Sequence, residues 1–269
     1  MRVSIVIPSL NSGRFLATAL DSILAQPEVS SAAEIIVVDG GSTDGTPLVL
    51  DRYRGCLARV IVEPDTGPAA AINKGLRLAR GQVLAWLNAD DLYHAGALAR
   101  AVSAFKRRPA AALAFGRCRI VDAEGREIRR AITMFKQSMF PLACRPLIQT
   151  INFISQPAMF FSRRALLAAG PLREDLKAAF DYECIRRLWR HGGAVRLHGP
   201  PVAAFRWHRD SISGRGFERQ FLEEWEAAVA DAGRFSPQVL LHAVVRRGIV
   251  ACYRRMAAAQ PASPRGREE

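Results

Sequence analysis

The chain predicts an α/β fold, a mostly parallel sheet with helices on both faces. Three observations carry that expectation. Four short, nearly uninterrupted apolar runs, Val3 to Ile7, Glu34 to Val38, Arg59 to Glu63 and Val83 to Leu87, have the length and β-branched content of buried strands. Stretches with apolar residues at helical spacing alternate with them. Each run ends in a polar cluster: Pro8-Ser9-Asn11, Asp39-Gly40-Gly41-Ser42, Asp65-Thr66-Gly67 and Asn88-Ala89-Asp90-Asp91. In an open parallel sheet the carboxyl ends of the strands share one edge, and ligands bind there. Polar ends gathered at one edge imply a site.

Taken in order, Val3 to Ile7 is stopped by Pro8-Ser9, and Asn11-Ser12-Gly13 supplies a turn. Phe15, Leu16, Ala19, Leu20, Ile23 and Leu24 then recur at helical spacing. The second strand runs into Asp39-Gly40-Gly41-Ser42-Thr43-Asp44-Gly45, and a helix follows from Thr46 to Tyr53. After the third strand a helix spans Ala69 to Ala79, with Gly81 as its C-cap signal. The second half is less regular. Leu98 to Phe105 reads as helix, Ala112 to Phe115 and Cys118 to Val121 as strands, and Asp122-Ala123-Glu124-Gly125 as a hairpin-type turn. Arg126 to Arg145 has no clean period and is expected to form a mobile segment or substrate loop. Strand-like pieces surround Ser155-Gln156-Pro157. Helices are expected over Arg163 to Ala169, Asp181 to Trp189, Phe217 to Ala230 and Pro237 to Met256, with strands over Val195 to Leu197 and Val202 to Trp207. Gln260 to Glu269 has the composition of a disordered tail. No internal repeat or linker divides the chain.

A chain of 269 residues buries a large core, and 49% hydrophobic with 23% charged residues is the balance of a soluble globular protein. The formal charge of +13 is unusual. Lys74, Lys106, Lys136 and Lys177 are the only lysines among 38 basic residues, so arginine dominates, a residue suited to bidentate contact with phosphate and carboxylate. Such a surface fits nucleic acid, an anionic membrane or phosphorylated small molecules, or follows from an arginine-rich genome. Nucleic acid is disfavoured, because the charge is dispersed and no basic motif interleaved with aromatics is present. Cys56, Cys118, Cys144, Cys184 and Cys252 show no metal or redox spacing, which fits a reducing, cytoplasmic compartment. A strand starts within two residues of Met1, so no signal peptide is read, and no apolar stretch reaches membrane-spanning length.

The end of the fourth strand carries the sharpest chemistry. Asp90 and Asp91 are adjacent carboxylates that repel each other unless a cation, such as a divalent metal, sits beside them. Alternatively both cap a helix starting at His94. Asp39 and Asp44 also have two readings, ligand contact or turn chemistry, and Asp44 ahead of a helix fits the latter. Gly40-Gly41 lets backbone approach a ligand closely. Lys74 faces either phosphate or solvent, and His208 is either structural or ligand-binding.

Five segments, in this order and spacing, resemble the inverting family 2 glycosyltransferases. They are Val3-Ser4-Ile5-Val6-Ile7-Pro8-Ser9-Leu10-Asn11, Glu34-Ile35-Ile36-Val37-Val38-Asp39-Gly40-Gly41-Ser42-Thr43-Asp44-Gly45-Thr46, Glu63-Pro64-Asp65-Thr66-Gly67, Ala71-Ile72-Asn73-Lys74-Gly75 and Leu87-Asn88-Ala89-Asp90-Asp91. Beyond about residue 120 the resemblance thins to Gln156-Pro157-Ala158, Phe180-Asp181-Tyr182-Glu183 and Phe205-Arg206-Trp207-His208. It implies the GT-A type of α/β fold: one domain over 1–236, with a nucleotide-sugar half (1–120) and a smaller acceptor half (121–236), then a C-terminal helix and tail (237–269). The implied donor is a nucleoside diphosphate sugar, held by Pro8, Ser9, Asn11, Asp39, Gly40, Asp65, Gly67, Lys74, Asn88, Asp90, Gln156 and His208. A divalent metal, Mg or Mn, is implied on Asp90 with Asp91 as helper, to stabilise the leaving diphosphate. Asn88 departs from the family's Asp-x-Asp, and Phe180 replaces the glutamate of its Glu-Asp pair. Asp181 matches the aspartate that acts as general base, with Glu183 and then Glu174-Asp175 as fallbacks. Arg206 and Arg209 are candidates for neutralising phosphate.

The acceptor implied is a saccharide or lipid-linked molecule, as in cell-surface polysaccharide biosynthesis. The stretch 237–256 mixes Leu240, Leu241, Val244 and Tyr253 with Arg246-Arg247 and Arg254-Arg255, a pattern that lies on the inner membrane face or packs on the domain or a second copy. A non-catalytic nucleotide-sugar-binding or scaffold protein on the same fold is the rival reading, which Asn88 and Phe180 leave open.

Overall fold

The computed structural model describes residues 1–27, 33–208, 211, 214 and 216–258. Its strands are β1 (Val3–Ser9), β2 (Ala33–Asp39), β3 (Arg59–Val62), β4 (Val83–Trp86), β5 (Leu92–Tyr93), β6 (Leu113–Phe115), β7 (Cys118–Val121), β8 (Met159–Ser162), β9 (Ala194–Arg196) and β10 (Ala203–Arg206). Its helices are α1 (Leu16–Leu24), α2 (Thr46–Tyr53), α3 (Pro68–Leu78), α4 (Ala97–Arg107), α5 (Arg130–Ser138), α6 (Arg145–Thr150), α7 (Arg163–Ala169), α8 (Phe180–Trp189), α9 (Phe217–Ala232) and α10 (Pro237–Ala258).

The main sheet has the order β3-β2-β1-β4-β8-β6-β9. From β3 to β4 it is parallel, with Ser9 opposite Asp39 and Val6 opposite Trp86. β8 then enters antiparallel between β4 and β6, and β9 pairs parallel with β6. The exception has a topological cause. Residues 152 and 154–157 line a cleft at the carboxyl edge, so the chain enters β8 from that edge and must run back. β5, β10 and β7 form a second sheet, with β10 parallel to β7 and antiparallel to β5.

Alternation along the strands divides the core into two layers. Ile5, Ile7, Ile35 and Val37 meet Leu16 and Leu20 of α1 and Leu98 and Phe105 of α4. Val6, Ile36, Val38 and Trp86 meet Ile72 and Leu76 of α3 and Ile185 and Leu188 of α8. Both faces are therefore covered, which explains why these strands read as continuous apolar runs. Trp86 is fully buried, edge-on to Phe161 at 5.6 Å. A side chain of that kind stabilises the fold by about 2–3 kcal/mol. α3 lies so close to β1 that a Cβ at Gly75 would come within 2.4 Å of Val6 Cγ1.

Two expectations change. Arg126 to Arg145, expected as a mobile segment or substrate loop without regular period, contains α5 and a 3-10 turn at Phe140–Leu142. Its period is blurred because α5 meets several environments: Ile132 and Lys136 face the cleft, Thr133 is buried, and Met134 and Phe135 are exposed. Nor do Asp90 and Asp91 cap a helix. β5 follows them, and α4 begins only after Gly96, whose φ of 74° suits glycine.

α10 belongs to the same body as the residues before it. Val239 and His242 are buried, and Val245 and Ile249 pack against the core. The side chain of Tyr253 and the tail from 259 onward lie outside the described residues. Among the described residues no helix is long and apolar enough to cross a membrane.

Candidate active site

A cleft of about 670 Å3 opens at the carboxyl edge of the parallel strands. Pro8, Ser9 and Asn11 reach it from the end of β1, Asp65 and Gly67 from the loop after β3, and Asn88 and Asp90 from the end of β4. Gln156 comes from the turn before β8, Asp181 from the first turn of α8, and His208 from the segment after β10. The fold thus brings ten of the expected site residues to one space.

At one corner His208 Nε2 lies 3.0 Å from Asp90 Oδ2, with the side chains 19% and 23% exposed. Phe15 packs on the His208 ring with centroids 5.1 Å apart. Arg206 builds this corner rather than facing phosphate, as expected for it. Its buried guanidinium donates to the carbonyls of Asp90 (2.9 Å), Asp122 (3.1 Å) and Ala123 (2.8 Å). Arg209 lies outside the described residues. Among the described residues no group of three or more His, Cys, Asp or Glu side chains is arranged to hold a metal ion; Asp90 and His208 are a pair of such side chains in contact at 3.0 Å.

Asp91 turns away from the cleft, which corrects its expected role as a second metal ligand. It is 1% exposed, with Oδ1 accepting from the Arg206 N–H at 2.8 Å and Oδ2 from Asn88 Nδ2 at 3.1 Å. Burial, and then the charge of Asp90, push its carboxyl well above the usual range. Asn88 also donates to Gln156 Oε1 at 3.3 Å, and Gln156 Nε2 donates to the Trp86 carbonyl at 2.8 Å. An aspartate at 88 would lack that donor and add a third carboxylate to the corner. The neutral residue there is matched to the buried Asp91.

Three further expected residues stand outside the main cleft. Asp39 is 1% exposed, and its carboxylate accepts from the Gly41 and Ser42 N–H groups and from Ser42 Oγ. It closes the turn after β2 and borders a separate hollow of about 180 Å3. Its influence on the cleft runs through Ser42, whose Oγ accepts from the N–H of Asn11 at 2.7 Å. Gly40 makes room for a cleft residue, since a Cβ there would lie 2.8 Å from Asp65 Oδ2. Lys74 pairs with Glu63 at 2.6 Å instead of facing the cleft. Asp44 accepts from Thr46 and from the Gly13 N–H, so it ties two loops together.

Asp181 is partly exposed on the cleft wall, and burial by the surrounding protein raises its carboxyl above the ordinary range, opposed by Lys136. Glu223 of α9 fixes the approach to α8, accepting from the backbone N–H groups of Lys177, Ala178 and Ala179 at 2.8 to 3.2 Å. The fallback carboxylates do not line the cleft: Glu183 pairs with Arg187, Glu174 accepts from Asn73, and Asp175 pairs with Arg173.

Sequence reasoning missed Glu224. It is 4% exposed, and its Oε1 accepts from Asn152 Nδ2 at 3.1 Å and Gln220 Nε2 at 3.3 Å, two amides of cleft-lining residues. Burial first, with the charge of Asp181 adding to it, lifts this carboxyl to about 7. One signal existed: Glu224 shares the buried stripe of α9 with Ala227 and Ala228, where an acid is out of place.

A family model described as Glycosyl transferase family 2 matches residues 4–169, more than half of the chain. The chain belongs to glycosyl transferase family 2. This family 2 glycosyltransferase is 31% identical over 274 residues to the succinoglycan biosynthesis protein ExoU of Rhizobium meliloti, covering 91% of this chain and 73% of that one. It is 30% identical over 196 residues to the uncharacterized glycosyltransferase alr2836 of Nostoc sp., covering 71% of this chain and spanning 58% of that relative's length. Among solved structures it resembles the mannosyltransferase PcManGT of Pyrobaculum calidifontis in complex with GDP-Man and Mn2+, with a TM-score of 0.68 at 21% identity, covering 97% and 76% of the two chains. That likeness is one of fold, the GT-A arrangement of mixed sheet and flanking helices.

Proposed function

We propose that this transferase is an inverting, metal-dependent enzyme that moves a sugar from a nucleoside diphosphate donor to a hydroxyl of a saccharide or lipid-linked acceptor in cell-surface polysaccharide assembly. One observation carries the reading: a carboxylate of raised proton affinity, Asp181, shares a single cleft with the Asp90–His208 pair. The cleft has the size of a small-molecule site. Pro8, Asn11, Asp65, Gly67, Asn88 and Gln156 line its walls. Ser9, whose Oγ is buried with no partner among the described residues, supplies a group awaiting a ligand on the donor side.

The donor set suits a divalent cation. Asp90 and His208, which would hold it, offer a carboxylate oxygen and an imidazole nitrogen 3.0 Å apart. When bound there, Mg or Mn would neutralise charge on the departing diphosphate. Asp181 takes the proton of the acceptor hydroxyl as that oxygen bonds to the anomeric carbon. The bond from that carbon to the diphosphate oxygen breaks on the opposite side, which inverts the configuration. Partial exposure lets the acceptor reach Asp181, and the raised proton affinity makes it a better base than an exposed aspartate.

The outer face of α10 supports a cytoplasmic enzyme working against a membrane. Leu240, Leu241 and Val244 are 53%, 53% and 63% exposed, with Phe235 at 85% just before them. Arg234 and Arg247 are exposed nearby, and 237–258 contains no acidic residue. Apolar side chains ringed by cations complement an anionic bilayer surface.

Asp181→Asn tests the chemistry. Product formation from a panel of UDP- and GDP-sugars should fall at least about 100-fold, while nucleotide binding measured by calorimetry stays within a few-fold. Normal turnover in that variant removes Asp181 from the mechanism. A wild-type chain that binds nucleotide sugars and transfers to none of a broad acceptor set is the result the non-catalytic reading predicts.

A further inference from the structure

We propose that Glu224 is a positioning residue for the reaction, a second carboxyl whose proton state fixes the cleft-wall amides of Asn152 and Gln220 and sets the charge felt by Asp181. The inference rests on the functional reading above for Asp181 but on separate geometry for Glu224. Its carboxyl is buried behind the cleft, and both of its amide donors line that cleft. With Glu224 ionised, each amide turns its N–H to the same oxygen. Asn152 Oδ1 is then left buried with no partner among the described residues. An ionised carboxyl can only accept from the Asn152 amide, whereas a protonated one has an O–H that a flipped amide would take on Oδ1, so the proton state decides which end of that amide faces Glu224.

The surroundings make that proton state variable near neutrality. Facing Glu224 are Asp181 and Tyr182 on α8, Lys136 on α5, Asn152 after α6 and Gln220 on its own helix, with Glu223 alongside it in sequence. Asp181 favours the protonated form and Lys136 the ionised form. The dependence is mutual: an ionised Glu224 strengthens Asp181 as a base, and a neutral one weakens it. Charge on Glu224 therefore couples the orientation of the cleft wall to the basicity of the group that takes the acceptor proton.

The test uses the full chain with 13C-labelled glutamate carboxyls, followed by NMR from about pH 5 to pH 9. One resonance should titrate near 7, vanish in Glu224→Gln, and move to lower pH in Asp181→Asn. If no glutamate titrates above about pH 6, or the midpoint ignores Asp181→Asn, the coupling does not exist and the proposal is overturned. A second readout follows release of nucleoside diphosphate from UDP-glucose, UDP-N-acetylglucosamine and GDP-mannose, each offered with a panel of saccharide and lipid-linked acceptor hydroxyls, across the same pH range. Glu224→Gln should lower kcat by roughly tenfold, leave KM for the donor within about twofold, and remove one ionisation from the acid limb of the profile. A unchanged profile with an equal loss at every pH marks a merely structural residue and also overturns the proposal. If wild type releases no nucleotide from any donor, the enzymatic reading fails while the NMR titration still decides on Glu224.

Discussion

Asn88 and Asp90 stand two residues apart at the end of β4 and do different work. Asn88 is a donor to buried Asp91 and to Gln156, so Asn88→Asp, although it restores the family's acidic pattern, should destabilise the fold by about 1–3 kcal/mol. Thermal melts would show this, and a variant as stable as wild type would contradict the matched-pair account. Asp90 faces the cleft beside His208. Asp90→Ala and His208→Ala should each weaken Mn-dependent binding of UDP or GDP by roughly 10- to 100-fold, read by calorimetry with and without chelator. Affinity that ignores chelation in the wild type would reject a metal at this pair. Asp39 shows the limit of reading single residues. Its position at a strand end is visible in the chain, but whether its carboxylate faces a ligand or closes its own turn depends on the path of Gly41 and Ser42.

At the scale of elements, the cleft depends on how α3 and α8 are seated. Gly75 lets α3 approach β1, so Gly75→Ala should cost about 1–3 kcal/mol through overpacking against Val6 despite alanine's better helix propensity. A gain in stability in urea denaturation would mean the two elements can move apart freely. α8 is held from below by Asp231 of α9, which pairs with Arg145 on α6, with Arg186 on α8 and with Arg190 just after it, and accepts from Gln149 at 2.7 Å. Arg186 is 3% exposed. Asp231→Asn leaves that buried cation without its counter-charge and should destabilise by about 3 kcal/mol. Asp181 should lose its defined position with it, so activity falls further than stability alone explains. These helices were legible individually, from their apolar spacing, but nothing in one segment announces that an aspartate on α9 organises two other helices.

For the whole molecule, buried carboxyls shape the dependence of stability on pH. Glu224 titrates at about 7 against an ordinary 4.5. Between those values the folded chain keeps a proton that the unfolded chain has released, so this group makes stability fall as pH rises, by about 3 kcal/mol over the window. Glu34, Glu223 and Asp231, held below their ordinary range by hydrogen bonds and cations despite burial, act in the opposite sense and lose their contribution in acid. Comparison of wild type with Glu224→Gln isolates the first effect: the variant should gain relative stability from about pH 5 to pH 8. Parallel curves would place Glu224 in the ordinary range. The exposed face of α10 belongs to this scale as well. Flotation with anionic liposomes at low salt should carry the wild-type chain, and Leu240→Glu with Leu241→Glu should abolish it. Equal flotation of both chains would exclude that face as the contact.

The sequence by itself determined the strand–helix alternation of the first half and the edge at which its polar ends meet, because apolar period and turn residues are local properties. It also identified Asp90, Asp181 and His208 as candidates, from motif order along the chain. Only the tertiary structure decided which candidates face one another. It paired Asp90 with a histidine 118 residues away, turned Asp91 inward, committed Asp39 and Lys74 to neighbours outside the cleft, and placed Glu224 behind it. The physical reason is that side-chain direction and burial are set by which elements pack together, and those contacts join residues with no sequence proximity.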